Sequence, residues 1–172
     1  MLLSLRLQRS LTQRFCMTTQ LDDLDRRLLA ELAANGRLTN TELAARLPLS
    51  HSAISRRVAR LEREGVIRGY GAHVDPAAQG LTVHAFVGVR RDPKAPVETL
   101  SQHLGNIAGV AACWIVTGEH DFLLDVRARD MGAFSDTLLH RIQKVPGVVS
   151  TVSTFVLVDI ADTRDAETSS KK

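Results

Sequence analysis

The sequence predicts an α+β chain in two parts, three short helices followed by a βαββαβ succession, and three observations carry this. Leu24, Leu28 and Leu32 recur at helical spacing, two helix-start signatures follow within residues 39–64, and from Leu81 the apolar pattern alternates between strand and helix periods. At 172 residues, 44% apolar and 24% charged, the chain has enough Leu, Val and Ile to fold in water as two small domains, each near the lower size at which a core forms unaided.

The first helix is expected over residues 21–36. Asp22, Asp23 and Asp25 suit its N-terminus, and Asn35-Gly36 ends it. Thr39-Asn40-Thr41-Glu42 has the form of a capping box, in which hydroxyl and carboxylate reciprocally satisfy amide donors, and it starts a short helix to Arg46. Pro48 disfavours helical geometry at Leu47, so Leu47-Pro48-Leu49 breaks this helix. Ser50 then caps a third, which runs to Glu64 and stops at Gly65. Residues 66–74 are short and alternating, as a strand or wing would be, and Asp75-Pro76 opens a turn-rich stretch to Gly80. Strands are then expected over 81–90, 110–116, 121–128 and 148–158, and helices over 96–106 and 132–144, with Thr117-Gly118-Glu119-His120 as a turn. This order is ferredoxin-like. The organisation is therefore a leader (1–20), a winged helix-turn-helix (21–74), a linker (75–80), a ferredoxin-like domain (81–160) and a polar tail (161–172).

Residues 1–16, rich in Leu and Arg and free of acids, have the composition of a targeting peptide. A translation start at Met17, a disordered basic arm and an organelle presequence are the readings open for it. Lys and Arg outnumber Asp and Glu by 22 to 19, but Arg6, Arg9 and Arg14 of the leader account for the whole net charge of +3. Net charge thus says little about partners. The local pattern says more: Arg46, Arg56, Arg57, Arg60, Arg63 and Arg68 stand against only Glu62 and Glu64 between positions 46 and 68.

On the third helix, Ile54, Val58 and Leu61 fall within roughly 60° of one another and form an inward stripe, with Ser52, Arg56, Arg60 and Arg63 opposite. Short residues at a helix N-terminus and guanidinium groups along it suit the major groove of double-stranded DNA. Ser50, His51, Ser52, Ala53, Ser55 and Arg56 are expected nearest the bases. Arg57, Arg60 and Arg63 are expected at phosphates, which fix register without reading sequence. A solvated basic helix is the plain alternative. Presenting two such helices to half-sites about 34 Å apart requires at least a dimer.

Little else in the chain points to chemistry. Cys16 and Cys113 lie far apart without metal spacing, which fits a reducing cytoplasm. His51, His73, His84, His103, His120 and His140 are scattered, and Gly69-Tyr70-Gly71 lacks the third glycine and following helix of a dinucleotide site. No metal, cofactor or catalytic group is expected. The apolar stretches 107–116 and 145–158 are too short or too interrupted to span a bilayer. His84 is expected as a satisfied sheet or interface residue, Trp114 and Phe122, which flank the turn, as core residues, and Cys113 as a packing residue.

Several stretches carry a family likeness. They are Leu21-Asp22-Asp23-Leu24-Asp25-Arg26, residues 36–44, residues 57–70, Asp75-Pro76, Val116-Thr117-Gly118-Glu119-His120-Asp121-Phe122-Leu123-Leu124, and Val145-Pro146-Gly147-Val148 with the strand to Val158. In this order they resemble the Lrp/AsnC family of feast/famine regulators over residues 21–160. The resemblance implies a DNA-binding transcriptional regulator with an N-terminal winged helix-turn-helix. It further implies a ferredoxin-like module that dimerises and often forms octamers, and an amino-acid effector. Two departures stand out: Ser50-His51-Ser52-Ala53 where the family often has Pro in the turn, and His120 where an aromatic residue is common.

The implied effector site comprises Gly118, Glu119, His120, Asp121, Thr151 and Ser153. Gly118 can bring amides close to a carboxylate, Glu119 or Asp121 could receive an ammonium group, and Thr151 and Ser153 alternate on one face of the last strand. An ordinary hairpin turn is the plain alternative. Two further readings share the architecture. One is an enzyme resembling sirohaem decarboxylases, with His120 and His140 the first residues to suspect; the other is an amino-acid sensor without DNA binding.

Overall fold

Asp22 closes the first helix on itself: its carboxylate accepts from the Asp25 amide at 2.7 Å, while its own amide donates to Asp25 Oδ2 at 3.1 Å. The computed structural model describes residues 20–72 and 74–158, which form two separate units. The expected tail, and all but the last residue of the expected leader, lie outside the described residues.

In the first unit, α1 (Asp23–Ala34), α2 (Asn40–Arg46) and α3 (His51–Arg63) pack around Leu28, Leu43, Leu47, Ile54 and Leu61, all buried. The capping box at Thr39 forms as its sequence predicts, with the Glu42 amide donating to Thr39 Oγ1 at 3.2 Å and the Thr39 amide to Glu42 Oε2 at 2.7 Å. A Thr39→Ala variant should therefore lower the unit's stability by about 1 kcal/mol, read from a denaturant midpoint. Leu47, held extended before Pro48, ends α2, and Ser50 caps α3 by accepting from the Ala53 amide at 3.2 Å. Gly65, at φ 72°, ends α3 in a Schellman turn, with the amides of Gly65 and Val66 donating to the carbonyls of Glu62 and Leu61.

The segment after α3 departs from expectation. No strand forms between Gly65 and Ala72 among the described residues. The amides of Val66 and Ile67 both donate to the Leu61 carbonyl, and their side chains pack into the helical core, so the backbone is committed to closing α3. Tyr70 instead turns back, donating its hydroxyl to Glu62 Oε1 at 3.0 Å.

The second unit contains β1 (Val83–Arg91), α4 (Val97–Gly105), β2 (Val110–Ile115), β3 (Phe122–Ala128), α5 (Met131–Asp136, continued by a π-helical stretch Thr137–Ile142) and β4 (Val148–Phe155). The strands pair antiparallel in the order β2-β3-β1-β4, the ferredoxin-like arrangement. Alternation sends Ala85, Val87, Val89, Phe122, Leu124 and Val126 to one face, where they bury against Leu100 and Leu104 of α4 and Phe134 and Ile142 of the second helical stretch.

Three details differ from the sequence expectation. The helix expected over 132–144 begins at Met131, because Asp130 caps it through the Ala133 amide at 2.7 Å. It widens after Asp136, which turns both Thr137 and Ile142 inward. Its last turn is closed by the Gln143 amide donating to Leu138, five residues back. The last strand stops at Phe155: β1 begins at Val83, and beyond the Val156 amide bonded to the His84 carbonyl the segment finds no further ladder partner among the described residues. Trp114 is not in the core. Cys113 takes the inward position, so Trp114 projects from the opposite, outer face and remains 45% exposed.

Candidate DNA interface and effector turn

The stripe that buries α1 contains a carboxylate. Leu21, Asp25, Leu28 and Leu32 share one narrow face at 100° per residue, and Asp25 is fully buried. It persists there because α3 supplies two guanidinium groups. Arg57 Nη1 donates to Asp25 Oδ1 and to Asp22 Oδ2, each at 2.7 Å, and Arg60 Nη2 donates to Asp25 Oδ2 at 2.5 Å. Burial alone would raise the Asp25 carboxyl, but the hydrogen bonds from Arg60, Arg57 and the Asp22 amide outweigh it and hold it at about 2. The same pairs push both arginines above their ordinary range, Asp22 acting first on Arg57 and Asp25 on Arg60.

This carries a pH dependence. Asp25 binds its proton near 2 when folded, against an ordinary value of 3.8, so on acidification the unfolded chain protonates first. The contribution, on the order of 2 kcal/mol, is complete above about pH 4 and is lost as pH falls through about 2. Urea titrations across this window, compared with an Asp25→Asn variant, should show the wild-type advantage disappear.

The arginines of α3 thus divide into two groups. Arg57 and Arg60, expected at phosphates, are turned toward α1 and held by Asp22 and Asp25. Arg60 accordingly does not project opposite the apolar stripe. His51, Ser52, Ser55, Arg56 and Arg63 are exposed, whereas Ala53 is half-buried and Ser50 is engaged as the cap, its hydroxyl 3.2 Å from that of Ser52. Ala59 and Glu62 share the exposed face and escaped the sequence reading. Arg46, also in the basic run, pairs with Glu31 at 2.7 Å.

The 117–121 turn joins β2 to β3. Gly118, at φ 115°, has no heavy atom within 4 Å of where a Cβ would stand, and Glu119 is exposed. Asp121 has structural partners: Oδ2 accepts from the Arg91 amide at 2.9 Å, where β1 bulges, and Arg91 Nε lies 3.5 Å from Oδ1. Arg91 Nη1 in turn donates to the carbonyls of Asp92, Pro93 and Ala95. His120 lies against Gly88 of β1 on the outer sheet face, with Nδ1 buried and without a partner among the described residues. Thr151 and Ser153 pair with Val89 and Val87 and so point to the helix face, where Thr151 Oγ1 accepts from Gln143 Nε2 at 2.8 Å.

The six expected effector residues are therefore not gathered in one place: His120 lies on the outer face, Thr151 and Ser153 lie on the helix face, and β1 stands between β3, into which the turn leads, and β4. A cavity of about 100 Å³ beside the turn is lined by Arg91, Val97, Ile115, Val116, Asp121 and Phe122, without Thr151 or Ser153. His84, expected to be satisfied, makes no hydrogen bond at either ring nitrogen among the described residues, although Nε2 lies 3.1 Å from Asp125 Oδ1. His140 is exposed on the helical layer while His120 lies across the sheet, so the two histidines do not converge on one site. Among the described residues no group of three or more His, Cys, Asp or Glu is placed to hold a metal, and no helix is long and apolar enough to cross a membrane.

A capped helix-turn-helix with an exposed arginine on its second helix, followed by a ferredoxin-like sheet, defines a DNA-binding regulator with a separate ligand domain. Residues 21–68 match the winged helix-turn-helix DNA-binding family, and residues 84–166 match the Lrp/AsnC ligand binding domain. The chain belongs to the Lrp/AsnC family of transcriptional regulators. It is 44% identical over 142 residues to the HTH-type transcriptional regulator LrpA of Mycobacterium tuberculosis, covering 82% of this chain and 93% of the relative. It is 34% identical over 142 residues to the leucine-responsive regulatory protein of Escherichia coli, covering 81% and 87%. Among solved structures, a feast or famine regulatory protein of M. tuberculosis complexed with L-methionine superposes with a TM-score of 0.78 at 42% identity, covering 84% of this chain and 97% of that one. A transcriptional regulator of Neisseria meningitidis in complex with L-methionine gives a TM-score of 0.76 at 37% identity, covering 83% and 94%.

Proposed function

We propose that this protein regulates transcription in the cytoplasm as a homodimer or higher assembly, reading operator DNA with α3 and sensing an amino acid through its second domain, without enzymatic activity. The observation that carries the reading is the division of the α3 arginines. With Arg57 and Arg60 fixing the helix on α1, the exposed His51, Ser52, Ser55 and Arg56 are left to approach base edges, and Arg63 a phosphate. The DNA-binding domain is taken as 21–74, the linker as 75–80 and the effector domain as 81–160.

A second copy is the partner best suited to the outer sheet face. Phe86, Trp114, Leu123 and Val152 project from it, and Trp114 and Val152 are 45% and 53% exposed. An apolar face of this kind on a protein that must present two recognition helices points to self-association. Trp114→Asp should shift the full chain to monomer in sedimentation at micromolar concentration, by at least about tenfold in dissociation constant.

For the effector, the exposed Gly118 amide region and Glu119 offer partners for a carboxylate and an ammonium group, with Thr151 and Ser153 supplying neutral hydrogen bonds. Since one chain holds these groups apart, the site is completed between copies. L-Methionine, present in two relatives' complexes, is the first ligand to test. It should bind in calorimetry and alter operator affinity or assembly, because only unequal affinity for two states shifts their balance. Unchanged sedimentation and operator affinity at saturating concentrations of all twenty amino acids would establish an effector-independent regulator.

A further inference from the structure

The outer sheet face is apolar at one end and ionic at the other. Leu123 and Val152 flank Gly88, with Trp114 beyond Leu123; toward the start of β1, Phe86 stands opposite Asp125 and His84 opposite Arg127. Asp125 Oδ1 accepts from Arg127 Nε at 3.1 Å, and His84 Nε2 lies 3.1 Å from the same oxygen without the alignment of a hydrogen bond. The side chains of His84, Asp125 and Arg127 are 14%, 18% and 22% exposed, so a single copy already withdraws them largely from water. The His84 ring packs on Phe86 with centroids 5.0 Å apart, which ties it to the face that a second copy would cover.

The charge of this end of the face is set by one group. Asp125 and Arg127 cancel, so a neutral imidazole leaves the cluster balanced and a protonated one leaves a positive charge in each copy. Among the described residues no second carboxylate faces His84: β4 brings Val152 and Thr154, and β2 brings Ala112 and Trp114. The other charged or titratable groups on the face are Arg90, opposite Ser150, and His120, whose ring lies against Gly88, about 13 Å along β1 from His84.

We infer that His84 makes the pairing of two copies through the outer sheet face proton-sensitive: when neutral it lets the face close over a balanced Asp125 and Arg127 pair, and when protonated it puts an unbalanced cation there. The inference rests on the dimer reading above and is independent of any amino-acid effector. An ion covered by a second copy without a counter-charge of its own opposes association. Proton binding at His84 and pairing therefore work against each other, and acidification through the ordinary histidine range, between about pH 8 and 5, weakens the dimer.

The test is sedimentation of the full chain without ligand across this range, which lies above the acid window in which Asp25 weakens the first unit. The wild-type dimer dissociation constant should rise about tenfold or more from about pH 7.5 to about pH 5.5. For His84→Gln the constants at the two pH values should agree within about twofold, whereas His120→Gln should keep the wild-type dependence. Asp125→Asn leaves Arg127 unbalanced, so at about pH 7.5 it should pair about tenfold more weakly than wild type, and the double variant Asp125→Asn, Arg127→Gln should regain most of that loss. If circular dichroism shows one variant misfolded, the others decide. A wild type that dimerises equally at both pH values, a folded His84→Gln with the dependence intact, a His120→Gln that abolishes it, or a folded Asp125→Asn that pairs as wild type does overturns the inference while the dimer stands. A wild type that is monomeric at every pH overturns the dimer reading and the inference with it.

Discussion

Asp25→Ala is expected to unfold the first unit under conditions where the second remains folded. The substitution leaves Arg60 without its carboxylate and Arg57 with Asp22 alone, and because both guanidinium groups are part-exposed the cost is about 2–3 kcal/mol, below the roughly 3–5 kcal/mol of a fully buried pair. For a unit this small, that is comparable to its whole stability. Denaturant titration by circular dichroism should show an early transition absent from wild type. Asp25→Asn, which keeps the shape and part of the hydrogen bonding, should lose less. The triple variant Asp25→Leu, Arg57→Met, Arg60→Met should recover most of the loss, because an apolar replacement of the whole cluster removes the desolvation penalty together with the pairing. A triple variant no more stable than Asp25→Ala would contradict the assignment of the cluster as the clamp between α1 and α3.

Arg56→Ala and Arg60→Ala should then fail in different ways. Arg56 is exposed on the side of α3 proposed to face the groove, so its loss should weaken operator binding by about 1–3 kcal/mol and relax preference at one base position, with folding stability unchanged. Arg60 is held by Asp25, so its loss should lower stability while leaving the salt dependence of DNA binding nearly as it was. Loss of a phosphate contact would instead reduce that slope by about one unit. Arg63→Ala is the variant expected to show the phosphate signature. The comparison needs only fluorescence anisotropy across a salt series, paired with urea midpoints for each variant.

The helices of the first unit were legible because their ends are written in local chemistry: Thr39 with Glu42, Pro48 after Leu47, Ser50 and Gly65 each act within a few residues. The strands of the second were legible by alternation, down to Thr151 and Ser153 sharing one face. What the sequence concealed depends on contacts between distant segments. Arg57 and Arg60 lie 32 and 35 positions from Asp25, so nothing local distinguishes them from Arg56 or Arg63. A usable signal did exist in the acid interrupting the Leu21, Leu28 and Leu32 stripe, since a carboxylate in an inward stripe demands a cationic partner. Trp114 was misplaced for a related reason. Size suggests a core residue, but the inward position belongs to Cys113, whose thiol burial pushes up. The residues expected at the effector site are adjacent in the sequence only in part, and the separation of the 117–121 turn from Thr151 and Ser153 could come only from register.

On the proposed reading, α3 reads DNA and two copies read it together. Selection from a random double-stranded DNA pool with the full chain tests this most directly. The expected result is an enriched motif of two inverted half-sites with centres about 10 base pairs, or a multiple, apart, in which Arg56→Ala relaxes one symmetric position in each half. Recovery of no motif, or of an identical motif by wild type and Arg56→Ala, would contradict it.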